Sequence, residues 1–384
     1  MQLKNCHNIK DFRKMAKSRI PSPLFHYIDG GADDEVTLRR NTQAFDTYDL
    51  IPNGLADVAE IDLTTTILGH KISSPLFLAP TGMSRLFHHE GEYASSKAAE
   101  KHGTYFGLST LSSVSIEDVG AHTSGPKMFQ IYIHKDRGLT YELIERCKKA
   151  KFTALCLTID TIVAGNRERD LRTGMTMPPK FTLASLANFA MRPRWVMNYL
   201  THPNFELANL VGRTEKGSQE NISVIDYINS QFDTKLCWDD AKQAIDAWGG
   251  PFAIKGVMSV EDAKRSVDIG ASAIMISNHG GRQLDHSPAP FDLLEEIVDA
   301  VGGKIEIICD GGIQRGTHVL KALALGANAC SMGRAYLYGL AAGGQKGVEA
   351  VLEKFEAELK RDMMLMGLNS LDKLDASKVR RRNW

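Results

Sequence analysis

The chain is 384 residues long, 43% hydrophobic and 24% charged, the composition of an ordinary soluble globular protein. Its 46 lysines and arginines balance 46 aspartates and glutamates, which removes the global field that a nucleic-acid binder shows. The polar start, Met1 to His7, lacks the apolar core of a signal peptide, and no stretch reaches the ~20 apolar residues that span a bilayer. The expected location is the cytoplasm, free or peripheral on the inner face of the cell membrane. The 6 cysteines are scattered with no CxxC spacing and read as buried free thiols of a reducing compartment.

In chain order, residues 8–20 predict an amphipathic helix stopped by Pro21 and Pro23. A second helix runs from Leu24 to about Gly30, and Asp33-Asp34-Glu35 opens another. Residues 45–75 are turn-rich, with a β-like piece at Ile61-Asp62-Leu63-Thr64. Residues 1–75 are thus expected to be an N-terminal extension packed on a larger body.

From residue 76 apolar runs alternate with helical patterns. The predicted strands are Leu76–Pro80, Tyr105–Ser109, Met128–Tyr132, Ala154–Ile159, Phe252–Gly256, Ala273–Ser277, Ile305–Asp310 and Ala329–Met332. The predicted helices are Glu92–His102, Ile116–Val119, Leu139–Ala150, Asp239–Trp248, Val260–Ile269, Phe291–Val301 and Thr317–Leu325. Buried parallel strands read as such continuous apolar runs. Eight of them with intervening helices predict a closed (β/α)8 TIM barrel over 76–340. A doubly wound open sheet is the second reading, but no glycine fingerprint follows an early strand. A C-terminal helix and tail would fill 341–384, with Arg380-Arg381-Arg382 as a solvated tail or subunit contact. The whole of 1–384 reads as a single domain.

An insertion of about 171–236 breaks the rhythm after the fourth strand, far above the usual loop length. Its run from Phe181 to Leu200 is apolar, aromatic and basic, with no acid. That composition suits a segment lying on an anionic membrane, or a lid or subunit contact burying the same side chains.

Barrel enzymes place reactive groups at the C-terminal ends of strands. Here those ends carry Thr81-Gly82, Ser109, Gln130 with Tyr132, Thr158 with Asp160, Lys255, Ser277 with His279, and Asp310. The stretch Ser277-Asn278-His279-Gly280-Gly281-Arg282-Gln283-Leu284-Asp285 follows the sixth strand. A histidine there can act as a base, and an arginine can grip a carboxylate through two hydrogen bonds. Asp160 could orient the His279 imidazole, or simply cap a helix. Arg167 could be a second carboxylate anchor or a surface ion pair. Tyr132 and Tyr27 could bind a substrate oxygen or only pack. Asp310-Gly311-Gly312-Ile313-Gln314-Arg315-Gly316 and Gly333-Arg334 follow the seventh and eighth strands, where barrels often bind phosphate. Lys255 needs an anionic partner, and could serve a Schiff base, an electron-rich flavin or a structural ion pair. No cluster shows metal-ligand spacing, and the adjacent His88-His89 pair does not chelate one ion easily.

Together these motifs resemble the FMN-dependent L-2-hydroxy acid oxidases and dehydrogenases. Ser277–Asp285 is similar to the family's most specific signature. Supporting it are Phe25–Glu35, Ala79–Met83, Phe129–Tyr132, Leu157–Asp160, Ile254–Val257, Asp310–Gly312 and Gly333-Arg334. The resemblance implies FMN as cofactor, and oxidation of L-lactate or a related acid to the 2-keto acid. It implies that His279 takes the hydroxyl proton or the α-proton and that Asp160 orients it. Arg167, Arg282 and Tyr27 would hold the carboxylate, Tyr132 the hydroxyl or keto oxygen. Lys255 would support the reduced flavin. Pro80, Thr81, Gly82, Ser109, Gln130, Thr158 and Ser277 would line the isoalloxazine. Asp310, Gly311, Gly312, Ile313, Gln314, Gly333 and Arg334 would meet the phosphate side. Gln314 stands where many members carry arginine, which leaves Arg315 and Arg334 to supply charge. Gly82 and Leu111 replace the alanine of typical oxidases and the tryptophan of glycolate oxidases. Both changes point to a dehydrogenase and a larger side-chain pocket, and the expected acceptor is a quinone or a cytochrome. The alternatives are a soluble oxidase producing hydrogen peroxide, a flavin-dependent barrel isomerase and a non-catalytic flavin-binding protein. The resemblance also implies a homotetramer and a membrane-binding role for about 180–200.

Overall fold

The computed structural model describes residues 2–175, 180–203, 205–210 and 232–382. Eight parallel strands close a barrel: β1 (Leu76–Thr81), β2 (Phe106–Ser109), β3 (Lys127–Ile131), β4 (Ala154–Thr158), β5 (Phe252–Val257), β6 (Ala273–Ile276), β7 (Glu306–Asp310) and β8 (Ala329–Met332). Each pairs with its successor, and β8 returns to β1 through Cys330–Leu76 and Ser331–Phe77. This is the expected TIM barrel, with each strand end within a residue of its predicted place.

The alternation along each strand explains the closure. Phe77, Met128, Cys156, Ala253, Met275, Ile308 and Ala329 point inward and form one buried cluster, large beside small. Their neighbours Leu78, Phe129, Leu155, Ile254, Ile274 and Cys309 face the surrounding helices in a second cluster. A hairpin, Thr65–Ile67 with His70–Ile72, adds Ile67, Leu68 and Ile72 to the inner cluster. It occupies the N-terminal end of the barrel, where Leu68 N–H donates to Glu306 at 2.7 Å. The C-terminal end stays open for chemistry.

Three N-terminal helices lean over that open end: α1 (Ile9–Arg19), α2 (Ser22–Asp29) and α3 (Val36–Gln43). Asn8 caps α1, accepting from Asp11 N–H at 3.1 Å. Pro23 does not stop a helix as expected; it lies in the first turn of α2, where a missing N–H has no partner to lose. Nor does the acidic triplet start α3. Asp33 and Glu35 adopt positive φ of 44° and 58°, so the helix begins at Val36.

Other differences are local. The β-like piece at Ile61–Thr64 forms no strand; Asp62 makes a single bridge to Ser370. Arg380 and Arg381 are not a free tail, because Val379–Arg381 pairs antiparallel with Tyr48–Leu50. The helix predicted from Phe291 begins as a 3-10 turn, Pro290–Leu293, before Leu294–Val301.

Within the insertion lie α4 (Leu183–Ala190) and α5 (Pro193–Thr201). Residues 176–179, 204 and 211–231 of that expected segment lie outside the described residues. The C-terminal α6 (Arg334–Leu365) kinks at Gly343 and Gly344, the latter at φ 59°, and packs against α1. Among the described residues no helix is long and apolar enough to cross a membrane. All six cysteines are free; five are buried and Cys237 is exposed.

Candidate active site

At the C-terminal end of the barrel the strand ends and α2–α3 enclose a cavity of about 650 Å³, within the range of small-molecule and cofactor sites. The loop after β6 organises it, and nearly every residue of Ser277–Asp285 has its own anchor. Ser277 Oγ donates to Asp310 at 2.6 Å and accepts from Lys255 Nζ at 3.0 Å. Asn278 exchanges two 2.8 Å bonds with Asn41 of α3. His279, at φ 57°, sits 2.9 Å by Nδ1 from Asp160 Oδ1. Gln283 binds the carbonyls of Asp160 and Val163 at 3.0 and 2.9 Å. Asp285 accepts from Val36 and Thr37 N–H at 3.2 and 2.8 Å, capping α3.

The electrostatics follow from burial. The His279 imidazole titrates below its ordinary range: burial dominates, and Lys255 and Arg282 add to it against the pull of Asp160. It is therefore neutral at pH 7. Burial pushes Asp160 up, but His279, Lys255 and two hydrogen bonds bring it down to about 2, so it stays ionised. With Nδ1–H donated to Asp160, the lone pair of His279 is on Nε2. Burial also opposes the charge on Lys255, yet Asp310, 3.5 Å away, and Asp160 raise it above the ordinary value. Tyr132 is pushed up to about 12 by burial and Asp160, which keeps its hydroxyl protonated.

Arg282 is lowered to about 10, by burial first and then by the charge of Arg167. Both guanidiniums lie over the Tyr27 ring, at 4.8 and 5.8 Å. Arg282 also donates to the carbonyls of Tyr27 and Gly30. Two arginines repelling each other in one cavity make a place that an anion relieves.

The structure brings most of the predicted residues to this one cavity. Tyr27, Pro80, Thr81, Gly82, Ser109, Gln130, Tyr132, Thr158 and Arg167 line it. So do Lys255, His279, Arg282, Asp310–Gln314, Gly333 and Arg334. Asp160 and Ser277 stand behind the wall, acting on residues that do line it. The Asp310 carboxylate faces inward, held by Ser277 and by Ser331, both at 2.6 Å.

One expectation is corrected. Arg315 does not turn to the cavity to replace the charge missing at Gln314. It pairs with Glu358 of α6 at 2.6 Å, and the same carboxylate accepts Gly316 N–H at 2.8 Å. Arg334 does line the cavity, with its guanidinium donating to the carbonyls of Ile28, Gly280 and Gly30 at 2.9, 2.8 and 2.7 Å. Sequence reading assigned no role to Asn41, Gln283 or Asp285. Gln283 and Asp285 lie within Ser277–Asp285, and their polarity on a glycine turn was the available signal.

The comparisons agree with the geometry. Residues 16–381 match the FMN-dependent dehydrogenase family. Glycolate oxidase of Spinacia oleracea is 39% identical over 97% of this chain and 95% of its own. L-lactate oxidase of a Nostoc species is 41% identical over 96% and 97%. The crystal structure of the monotopic membrane protein (S)-mandelate dehydrogenase superposes with a TM-score of 0.94 at 33% identity, over 98% of this chain and 100% of that one.

The cavity fits FMN. Gln130 Nε2 is buried with no partner among the described residues, an amide donor free to meet a ring oxygen or nitrogen. A Cβ on Gly333 would meet only Thr81, at 3.8 Å, so the backbone there opens to a ligand. Gly312, at φ 74°, lies so close to Asn41 O that a Cβ would sit 1.9 Å from it, which only glycine allows. A match over nearly the whole length, a shared barrel and a cradle suited to flavin all say the same thing: the chain belongs to the FMN-dependent dehydrogenase family.

Proposed function

We propose that this protein oxidises an L-2-hydroxy acid to the 2-keto acid, with an acid of the lactate-to-mandelate range as substrate and a membrane quinone or a cytochrome as acceptor. The carrying observation is His279, held by Asp160 at 2.9 Å, in a cavity shared with Arg282 and Arg167. FMN, when bound, accepts two electrons from the substrate's α-carbon. Arg282 and Arg167 hold the carboxylate. Tyr132, protonated, donates to the substrate oxygen. His279 Nε2 takes the proton that the substrate releases, and Asp160 stabilises the resulting imidazolium. Lys255, its charge secured by Asp310 and Asp160, supplies a cation beside the electron-rich cofactor.

Tyr27, Phe87, Leu111, Leu207 and Phe232 give the cavity an apolar side that supports a side chain larger than that of glycolate. The named relatives act on glycolate, L-lactate and (S)-mandelate. Exposed Leu183, Leu186, Met197 and Leu200 on α4 and α5 support peripheral membrane contact and hence a membrane acceptor. In this reading 1–384 works as one unit, assembled as a homotetramer that sedimentation would reveal.

Anaerobic mixing with glycolate, L-lactate, a long-chain 2-hydroxy acid and L-mandelate tests the reaction. Flavin bleaching is expected with the larger acids, and none with any of the panel overturns it. The similarity to two oxidases favours a second reading, with oxygen as acceptor. Admitting air to the reduced enzyme decides: reoxidation within seconds selects the oxidase.

A further inference from the structure

A second cavity, of about 440 Å³, lies between α5 and the body, on the far side of Phe87 from the active site. Its walls are basic. Arg19 and Arg85 come from the body, Arg192 and Arg194 from the insertion. Among the described residues none of the four pairs with a carboxylate. Arg19 donates to the Ala342 carbonyl, and Arg192 to those of Ile20 and Met191. Arg85 lies over the Tyr93 ring, and its buried Nε has no partner among the described residues. Burial and the neighbouring charge of Arg194 together lower Arg19.

Three histidines complete the wall. His88 and His89 stack at 4.4 Å, and the His202 ring lies tilted against His89 at 3.8 Å. His89 Nδ1 is a second buried polar atom with no partner among the described residues. His88, His89 and Glu90 lie close enough together to suggest a metal. The surrounding guanidiniums argue the other way: they repel a cation and attract an anion. Arginines that no described carboxylate neutralises, with buried nitrogens beside them, fit phosphate oxygens.

The orientation of α5 says where that phosphate comes from. Trp195, Asn198, Tyr199 and His202 recur at helical spacing and face the cavity. The Trp195 indole donates to Leu86 O at 2.8 Å and fixes this side to the body. Met197 and Leu200, on the other side, are 62% and 73% exposed. An interfacial helix buries such a face at the acyl boundary, which puts headgroup phosphates at the level of its polar side. We propose that this cavity receives the phosphate of an anionic membrane lipid, clasped between Arg85 and Arg19 of the body and Arg194 of the insertion. The inference rests on the peripheral membrane reading above and deepens it.

The test uses the full-length holoenzyme and two kinds of vesicle, phosphatidylcholine alone and phosphatidylcholine with phosphatidylglycerol. Wild type should sediment with the anionic vesicles about tenfold better or more. The double variant R85Q/R194Q, checked for FMN content and melting temperature, should lose that preference and keep its binding to neutral vesicles. Wild type that binds neither vesicle overturns the membrane reading and the lipid site with it. Equal binding to both, or a preference that survives in R85Q/R194Q, overturns the lipid site alone. A second measurement needs no variant. Dihexanoyl phosphatidylglycerol below its micelle concentration should raise the wild-type melting temperature. An equal rise with inorganic phosphate would make this a free-phosphate site and overturn the lipid assignment.

Discussion

At the scale of single residues the site is a set of charges held in place by other charges. Asp160 raises the affinity of His279 for a proton, against burial and two nearby cations. Asp160→Asn removes that pull, so the imidazole titrates lower still. The acid limb of the kcat/KM profile should move to lower pH, while the plateau falls by about 10²–10⁴-fold as the imidazolium loses its partner. A limb that stays in place, measured with a soluble acceptor, would contradict the assigned role. Lys255 depends in the same way on Asp310. Asp310→Asn leaves a buried ammonium short of its nearer anion, and should cost about 3–5 kcal/mol in urea unfolding. Stability within about 0.5 kcal/mol of wild type would show that Asp160 alone suffices.

At the scale of elements, α3 is held to the loop after β6 from both ends. Asp285 caps its first turn, and Asn41 in its last turns joins Asn278 beside His279. Burial raises the Asp285 carboxyl, but the N–H groups of Thr37 and Val36 hold it below its ordinary range. Its stabilisation is therefore complete at neutral pH and fades as pH drops through the acid range. Asp285→Ala should lose about 1–2 kcal/mol at pH 7 and show a shallower fall of stability below pH 4. FMN affinity should drop as well, because Gly312 is packed against Asn41. An unchanged melting temperature at pH 7 would refute the capping role. This coupling also shows what the sequence could convey. The strands were legible because each is a continuous apolar run, and the candidate site because polar residues ended those runs. The partner of Asp285 lies 249 positions away, and nothing local announces it. Arg315 looked like a phosphate ligand by position alone. Its direction is decided by Glu358 on α6, a packing fact absent from the loop itself. The tail read as a solvated end or a subunit contact for the same reason, since its strand partner is at Tyr48–Leu50.

At the scale of the whole molecule, the proposed chemistry and the proposed attachment fall on different elements. Lys255 stands on β5, Asp160 follows β4 and His279 follows β6, while α4 and α5 carry exposed apolar side chains. Leu183 is 86% exposed and Leu200 73%, an arrangement that water alone does not favour. The double variant Met197→Glu with Leu200→Glu tests the separation. Both side chains lie opposite Trp195, whose bond to Leu86 should keep α5 docked. Vesicle binding should fall by about tenfold or more, since two apolar anchors become two charges facing an anionic surface. Anaerobic bleaching by the hydroxy acid and turnover with a soluble dye should stay within about twofold, because Arg282, His279 and Lys255 are untouched. Turnover with a quinone embedded in vesicles should fall in step with vesicle binding. If membrane-quinone turnover persists while vesicle binding is gone, the acceptor reaches the flavin from solution, and the outward face of α5 has some other occupant.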